Sequence, residues 1–403
     1  MTRSSSGGRV LIWVYAIVLT VGGCGGGGGS SSSGSNPSTP NVLVASINPS
    51  SAVCDFINSL CASVTICQPN TSNCQTISDI LVDTGAQGLR IFASAITVPL
   101  TPATSGGQPI GECAFFGSLT AWGSIQIASV VLAGEPAVQV PIQVINPTFA
   151  GQYNSNGTPT AGGNRCAVGV VESTPANSGF NGLLGVGLFK NDGQPYYSCN
   201  GTTCTPIALP ANQQVQNPVA LLPVDNNGVV IQLPGVGSSG AAAITGSLIL
   251  GIGTQSNNQP SGVTVYPSNN CGRFITMYKG TTFQSAPNCT GGAFLDTGSN
   301  ALFFPDGTIP ACSGGLADFY CPAATLNLTA TTMGASGSPS GTVNFQVANT
   351  TTLVSTGNTV FNNLAGPVTG FFDWGMPFFL GRTVFIGISG QNSVLGTGPF
   401  WAY

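Results

Sequence analysis

The 403-residue sequence contains no histidine. This absence excludes Ser-His-Asp and Cys-His nucleophilic sites and every metal site ligated by histidine. Charged residues are also scarce: eight are Lys or Arg and twelve are Asp or Glu, which is 5% of the chain, with a formal net charge of −4. No cluster of basic residues occurs, so nucleic acid is not an expected partner. Carboxylates remain as the main source of catalytic groups.

The tripeptide Asp-Thr-Gly occurs twice, at residues 83–85 and 296–298, although the chain has only nine Asp. Each copy follows an apolar run that predicts a strand. Two carboxylates held close together share one proton, because both cannot ionise easily. One can then act as general base on a water and the other as general acid on a carbonyl. The motifs therefore predict a catalytic pair, Asp83 and Asp296, with no metal and no cofactor.

The composition favours short strands and many turns, since the chain holds 57 Gly and 28 Pro. Alternating apolar patterns predict an all-β fold with only short helical segments, such as 314–320, and a strand and turn at 327–341. The strands predicted in this way are Val42–Ile47, Ser124–Leu132, Val138–Ile145, Ala243–Leu250 and Val343–Val347.

Similar landmarks recur in both halves of the chain. Each half has an apolar strand, Asp-Thr-Gly, a second apolar strand and later an apolar pair followed by Gly, at Gly182–Gly187 and at Phe378–Gly381. Such a repeat predicts two β lobes, residues 42–255 and 256–403, with a cleft between them.

The first 41 residues are typical of an export signal and a tether. Arg3 and Arg9 precede an apolar stretch, Val10–Val21, that is too short to span a bilayer comfortably. Residues 1–23 are predicted to be a lipoprotein signal peptide, because residues 21–24 resemble a bacterial lipobox that ends in Cys24. Residues 24–41 are then a Gly/Ser-rich tether. Gly25 follows Cys24 where Asp would retain a lipoprotein in the inner membrane, so the outer membrane or cell surface is predicted. The alternative is an ordinary signal peptide.

Twelve cysteines remain after Cys24, an even number that predicts disulfides in an exported chain. The sequence suggests local pairs at 199 with 204, 271 with 289, and 312 with 321. A cluster at positions 54, 61, 67 and 74 lacks the Cys-x-x-Cys spacing of common zinc sites, so disulfides are favoured over zinc there.

The order of these landmarks over most of residues 42–403 resembles that of the pepsin-type aspartic proteases. The residues that carry the resemblance are Asp83–Ile91, Gly182–Gly187, Gly246–Gly251, Asp296–Pro305 and Phe379–Phe385. It implies a bilobal fold with catalytic Asp83 and Asp296 and supporting residues Thr84, Gly85, Thr297, Gly298 and Ser299. Thr84 and Thr297 are expected to form hydrogen bonds across the pair. Because Ser299 can donate a hydrogen bond to Asp296 while Ala86 is expected to offer Asp83 none, we expect Asp296 to be ionised and Asp83 to carry the proton.

A second resemblance is to an uncharacterised bacterial family of exported, Cys-rich proteins, which implies no activity. The residues that carry it are Cys113–Gly123, Phe371–Gly375, Gly381–Thr383 and Gly398–Tyr403.

The chain departs from the pepsin pattern near the expected flap, residues 114–123. This segment has no Tyr, and Arg90 stands where the family usually has Trp. Phe115, Phe116 and Trp122 are candidate flap and pocket residues, with the protein core as the alternative. Residues 373–374 are interpreted as a capped turn whose Trp lies in the core rather than as part of a pocket.

Two functions are compatible with this sequence. The first is a monomeric cell-surface aspartic endopeptidase that takes a peptide or protein substrate in the cleft. The second is a catalytically silent surface lipoprotein that binds a peptide, glycan or protein partner there.

Overall fold

The computed structural model describes residues 40–117, 119–161 and 170–403. The predicted signal peptide, Cys24 and nearly all of the tether lie outside these residues, as do Ser118 and Cys166. Among these residues, strand residues outnumber helical residues, 45% against 8%. The prediction of an all-β protein is therefore confirmed.

The strands are numbered in chain order. The first fifteen are β1 Val42–Ile47, β2 Cys61–Cys67, β3 Cys74–Asp83, β4 Gln87–Phe92, β5 Thr101–Pro102, β6 Thr104–Ser105, β7 Gln108–Phe116, β8 Leu119–Val131, β9 Val138–Ile145, β10 Val170–Val171, β11 Gly182–Val186, β12 Tyr196–Asn200, β13 Thr203–Ile207, β14 Gly228–Gln232 and β15 Ile244–Leu250. The others are β16 Val265–Pro267, β17 Ile275–Tyr278, β18 Thr281–Phe283, β19 Gly292–Asp296, β20 Leu302–Phe303, β21 Leu326–Met333, β22 Ser340–Val347, β23 Ala365–Gly366, β24 Phe371–Gly375, β25 Thr383–Gly387, β26 Asn392–Ser393, β27 Gly396–Thr397 and β28 Phe400–Ala402.

Helices in the described residues are short, as the sequence predicts. The α-helices are α1 Pro175–Ser178, α2 Thr350–Val354 and α3 Met376–Phe379. The 3₁₀ helices are Ala93–Ala95, Phe149–Gly151, Ala211–Gln213, Pro218–Leu221 and Gly314–Leu316.

Alternation of apolar and polar residues predicts the strands well. The bounds of β1 and β9 coincide with the predicted segments, and β8, β15 and β22 contain most of the other three. Residues 327–341 form a strand, a turn and the start of β22, as expected. Side chains one residue apart point to opposite faces of a sheet, so a half-buried strand leaves this pattern in its sequence.

A closed ring of six strands holds the first Asp-Thr-Gly motif. Going round the ring, the strands are β2, β3, β11, β4, β9 and β8, and β8 pairs with β2 again. The strand β3 ends at Asp83, and its last apolar residues, Ile80 to Val82, are all buried. Burial on both faces explains why this segment is continuously apolar rather than alternating. The ring therefore fixes Asp83 at the end of a buried strand.

A separate four-stranded sheet, in the order β19, β24, β20, β23, holds the second motif. Its strand β19 ends at Asp296 and runs parallel to β24, with Asp296 beside Gly375. The first half has the same arrangement, because β3 runs parallel to β11 with Asp83 beside Gly185. The counterpart of Gly182–Gly187 is therefore Phe371–Gly375. The prediction that Phe378–Gly381 plays this part is wrong, since that segment begins in α3.

Strands from early and late in the chain also meet in one sheet. The strand β14 pairs with β15 on one side and with β25 on the other, and β25 continues to β28 and β16. The largest apolar core cluster likewise draws on residues from both parts of the sequence. The strands that end in the two Asp-Thr-Gly motifs, β3 and β19, thus lie in different sheets, but the early and late parts of the chain share a third set of paired strands and a core.

Five disulfides join neighbouring segments of the described chain: Cys54–Cys61, Cys67–Cys74, Cys199–Cys204, Cys271–Cys289 and Cys312–Cys321. Cys113 is disulfide-bonded as well. The three suggested local pairs are confirmed, and the cysteine cluster near the first motif forms disulfides. This disulfide content is that of an exported protein.

Among the described residues, no helix is long and apolar enough to cross a lipid bilayer.

Candidate active site

The carboxyl groups of Asp83 and Asp296 face each other. A methyl group built on Gly85 would stand 2.8 Å from Cγ of Asp296, and one built on Gly298 would stand 2.8 Å from Cγ of Asp83. Each motif glycine therefore lies directly against the carboxyl group of the other motif. Glycine is required at both positions because any side chain would push the two carboxyls apart.

Each carboxyl accepts two hydrogen bonds from its own motif. Oδ1 of Asp83 accepts from the backbone N–H groups of Gly85, at 2.7 Å, and Ala86, at 2.9 Å. Oδ1 of Asp296 accepts from the N–H of Gly298 at 2.7 Å, and its Oδ2 accepts from Oγ of Ser299 at 2.9 Å. The expected bond from Ser299 is present. The expectation that position 86 gives Asp83 no donor is wrong, since Ala86 donates through its backbone.

The two aspartates differ in the oxygen that these donors leave free. Both donors to Asp83 reach Oδ1, whereas those to Asp296 reach both of its oxygens. Burial raises the pKa of Asp83 well above its ordinary value, and the charge of Asp296 and a hydrogen bond with its carboxyl raise it further. Asp83 is therefore the group that favours the proton.

Two threonines link the motifs by reciprocal hydrogen bonds. The N–H of Thr84 donates to Oγ1 of Thr297 at 3.1 Å, and the N–H of Thr297 donates to Oγ1 of Thr84 at 3.0 Å. Each hydroxyl then donates across to the other strand, from Thr84 to the carbonyl of Leu295 and from Thr297 to that of Val82. Both threonines are buried. Two peptide segments that are 213 residues apart are thereby held at a fixed distance.

A cavity of about 410 Å³ opens above the two aspartates. Phe115 and Phe116, at the end of β7 in the hairpin with β8, line it. Trp122 lies elsewhere. It is fully buried and packs on Phe149, Tyr153 and Tyr197. For Trp122 the core alternative is therefore correct and the pocket alternative is wrong, because its position on β8 points into that aromatic cluster.

Arg90 is a buried cation at the wall of this cavity. Its guanidinium donates to Oε1 of Glu112 at 2.8 Å and to Oδ2 of Asp192 at 2.5 Å. All three side chains are at most 2% exposed. The guanidinium carbon also lies 5.1 Å from the ring centre of Phe116, within the range of a cation–π contact. The residue that departs from the pepsin pattern at position 90 is therefore fixed by an ion network.

The sequence interpretation missed several polar residues of the cavity wall. Glu172, Asp192, Gln194, Arg273 and Asp373 all line it. Asp373 is not in a capped turn but in β24, where alternation directs Asp373 to the cavity and Trp374 to the core. The period-two pattern of residues 371–375 is the signal that could have revealed this.

Burial raises the pKa of Asp373 well above its ordinary value, and the charge of Asp296 adds to this effect. Burial also raises the pKa of Glu172 to about 8. The cavity thus contains several carboxyls that hold their protons more strongly than free carboxyls do. Within the described residues, no three Cys, Asp or Glu side chains are grouped as ligands for a metal ion.

Residues 37–403 match a family described as "Protein of unknown function (DUF3443)", so the chain belongs to that family. No curated protein matches the sequence.

Proposed function

We propose that this member of the family is an aspartic endopeptidase with a bilobal, pepsin-like fold whose cleft is the cavity above Asp83 and Asp296. The observation that carries the proposal is the apposed carboxyl pair with its reciprocal threonine bonds. Apposed carboxyls destabilise each other when both are charged, so a fold that fixes them in contact is best explained by a use for their shared proton.

In this mechanism Asp296 is ionised and Asp83 is protonated. A water between the two carboxyls gives a proton to Asp296 as its oxygen attacks the carbonyl carbon of the scissile peptide. Asp83 donates its proton to the carbonyl oxygen, and a tetrahedral diol forms. The diol collapses when a hydroxyl proton returns to Asp83 and the leaving nitrogen takes the proton held by Asp296. The C–N bond breaks, and the pair is restored to its single proton.

The cavity wall supports a peptide as substrate. Aromatic side chains from both motif regions, including Phe115, Phe116 and Phe371, line it together with a few polar groups. Binding sites of this kind take an extended, partly apolar ligand and orient it with few polar contacts. We propose a monomeric enzyme with a peptide or protein substrate and with no cofactor.

The proposed location is the outer membrane or cell surface, with the lipid anchor on Cys24. The disulfides support export, and the lipobox-like residues before Cys24 and the Gly/Ser tether after it support the anchor.

Cleavage of a denatured protein at acidic pH, with and without pepstatin, tests the proposal. The purified protein should cleave it, pepstatin should inhibit, and Asp83→Asn or Asp296→Asn should each lower the rate by several orders of magnitude, because the pair acts as a unit. Circular dichroism should show that both variants are folded.

If the unsubstituted protein cleaves nothing at any acidic pH and binds no pepstatin, the silent binding protein replaces the peptidase. One observation favours that second candidate: Phe116, at the tip of the hairpin, has no hydroxyl to donate to a substrate.

A further inference from the structure

Arg273 is a cation of the cavity wall that lacks an anionic partner. Its guanidinium carbon lies 3.9 Å from the ring centre of Phe294. Its Nε is buried and has no hydrogen-bond partner, and none of the ion pairs found among the described residues includes it. Burial lowers the pKa of Arg273, and the charges of Asp373 and Asp296 offset this only in part. The cation is thus held in an unfavourable environment without the ion pair that normally compensates such burial.

Arg90, in the wall of the same cavity, is a buried arginine whose charge is neutralised by ion pairs. It donates to two carboxylates and to the carbonyl of Gln87. Arg273 has the same side chain in the wall of the same cavity, but no such bonds. Stability alone does not explain this difference, because an unpaired, partly buried cation lowers stability. A ligand that brings its own negative charge does explain it.

Asp373 is a carboxyl whose charge acts on Arg273, but it does not serve as the anionic partner of Arg273. The charge of Arg273 lowers the pKa of Asp373, but burial and the neighbouring Asp296 outweigh it, so the net direction is upward. Oδ1 of Asp373 is buried and has no hydrogen-bond partner. A protonated Asp373 leaves the positive charge of Arg273 unneutralised in the acidic range where the proposed dyad is singly protonated.

The surroundings of Arg273 suit a carboxylate on a flexible side chain. The ring of Phe294 covers one face of the guanidinium. The ring of Phe371 lies beside that of Phe294, with 5.6 Å between the two ring centres. A guanidinium stacked in this way keeps its N–H edge free for two parallel bonds to a planar anion. The aromatic rings can contact the methylene groups of such a side chain.

We infer that Arg273 binds a carboxylate of the substrate, so that the cavity selects peptides with an acidic side chain near the scissile bond. This inference rests on the proposed peptidase function and specifies its substrate class. In an ordinary peptide the carboxylates come from Glu and Asp side chains and from the C-terminus. Arg273 is a specificity residue in this account, because it contacts the substrate away from the reacting atoms.

Two peptide series test the inference. In the first, Glu is moved through the positions on either side of the cleaved bond, each peptide has a Gln twin, and all C-termini are amidated. In the second, the Gln peptides carry a free C-terminus. For at least one position, kcat/KM should be about tenfold or more higher with the carboxylate than without it, as a charge-assisted hydrogen bond would give. A preference in the first series assigns the bound carboxylate to a side chain. A preference in the second series alone assigns it to the C-terminus and overturns the selection for an acidic side chain.

Arg273→Met should reduce this ratio to about one, because Met keeps the apolar contact with Phe294 but removes the charge. Lys279→Met is the matched control, since Lys279 pairs with Asp306 on another part of the surface and its loss should leave the ratio unchanged. If Arg273→Met does not fold, the ratio of kcat/KM with and without the carboxylate in the unsubstituted protein still tests the inference. Efficient cleavage with no preference for a carboxylate in either series would overturn the inference and leave the peptidase intact.

Binding separates the inference from the catalytic proposal. A fluorescent Glu peptide should bind the inactive Asp296→Asn variant at least about tenfold more tightly than its Gln twin, and adding Arg273→Met should abolish the difference. If the variant shows this difference in binding and the unsubstituted protein cleaves nothing, the carboxylate site is retained and the peptidase is refuted. Equal binding of both peptides to the Asp296→Asn variant would overturn the carboxylate site.

Discussion

The guanidinium of Arg90 lies against the ring of Phe116, so a cation fixed by two buried carboxylates supports the tip of the β7–β8 hairpin. In the pepsin-type pattern this hairpin offers a Tyr hydroxyl and position 90 is Trp. Here both residues differ, and a cation–π contact joins the two positions. The hairpin therefore has a defined support despite the missing hydroxyl.

Arg90→Met should destabilise the protein strongly. Glu112 and Asp192 would remain buried without their cation, and loss of one partner from a buried ion pair costs about 3–5 kcal/mol. Urea unfolding at neutral pH measures the change in free energy. Lys279→Met is the control, because the side chain of Lys279 is half-exposed and Asp306 keeps its hydrogen bonds from Tyr278 and Thr308. This loss should therefore cost less than about 1 kcal/mol. Equal stability of the two variants would refute the structural role of Arg90.

Gly298→Ala should inactivate the proposed enzyme without unfolding it. The added methyl would stand 2.8 Å from Cγ of Asp83, so the carboxyls must separate. A displacement of about 1 Å between reacting groups costs about 100-fold in rate. The loss is measured as kcat/KM on a cleaved peptide. Gly307→Ala is the matched control, since a methyl there meets no atom within 4 Å. Comparable activity in the two alanine variants would show that the pair does not need its present spacing.

The buried carboxyl of Glu172 should make stability depend on pH. Its pKa rises from 4.5 to about 8 in the folded protein, so the folded state holds this proton more tightly than the unfolded chain does. The contribution is therefore complete below pH 4.5 and is lost as the pH rises through 8. Between pH 5 and 8 the free energy of unfolding should fall more in the unsubstituted protein than in Glu172→Gln, by roughly 2–4 kcal/mol.

Denaturant unfolding at several pH values measures the effect of Glu172. The exposed carboxyl of Asp55 provides the control, and Asp55→Asn should leave the pH dependence unchanged. Parallel curves for Glu172→Gln and the unsubstituted protein would contradict the prediction.

The proposed anchor predicts that Cys24→Ala releases the protein from the membrane fraction or blocks its processing. Gly25→Asp should instead move the protein from the outer to the inner membrane. Fractionation followed by immunoblotting measures both effects. A Cys24→Ala protein that stays with the outer membrane would refute the lipid anchor.

Local patterns in the sequence were sufficient to predict the strands and the Asp83–Asp296 pair. Period-two alternation identifies a half-buried strand from a few adjacent residues. The repeated Asp-Thr-Gly motif marks two distant segments, which the structure brings into contact. The partners of Arg90 were not predictable in this way. Glu112 and Asp192 are 22 and 102 residues away, and only the pairing of the strands brings them together.

Asp373 illustrates the same limit. The alternation of residues 371–375 favours a strand over a turn, but only the parallel pairing of β24 with β19 shows that this strand lies beside the second motif. That pairing also replaces Phe378–Gly381 as the counterpart of Gly182–Gly187. Where two segments are equally apolar, their sequences do not reveal which one lies beside the second motif.

The matched registers of β11 and β24 have a consequence for how the two motif regions can vary. Leu183 and Asp373 each lie two residues before the glycine beside an aspartate, and both line the cavity. Across from them stand Arg90 and Phe303 respectively. Two identical subunits related by a two-fold axis would have to place the same residue at both positions. A single chain has no such constraint, so one side of the cavity can change while the other stays constant.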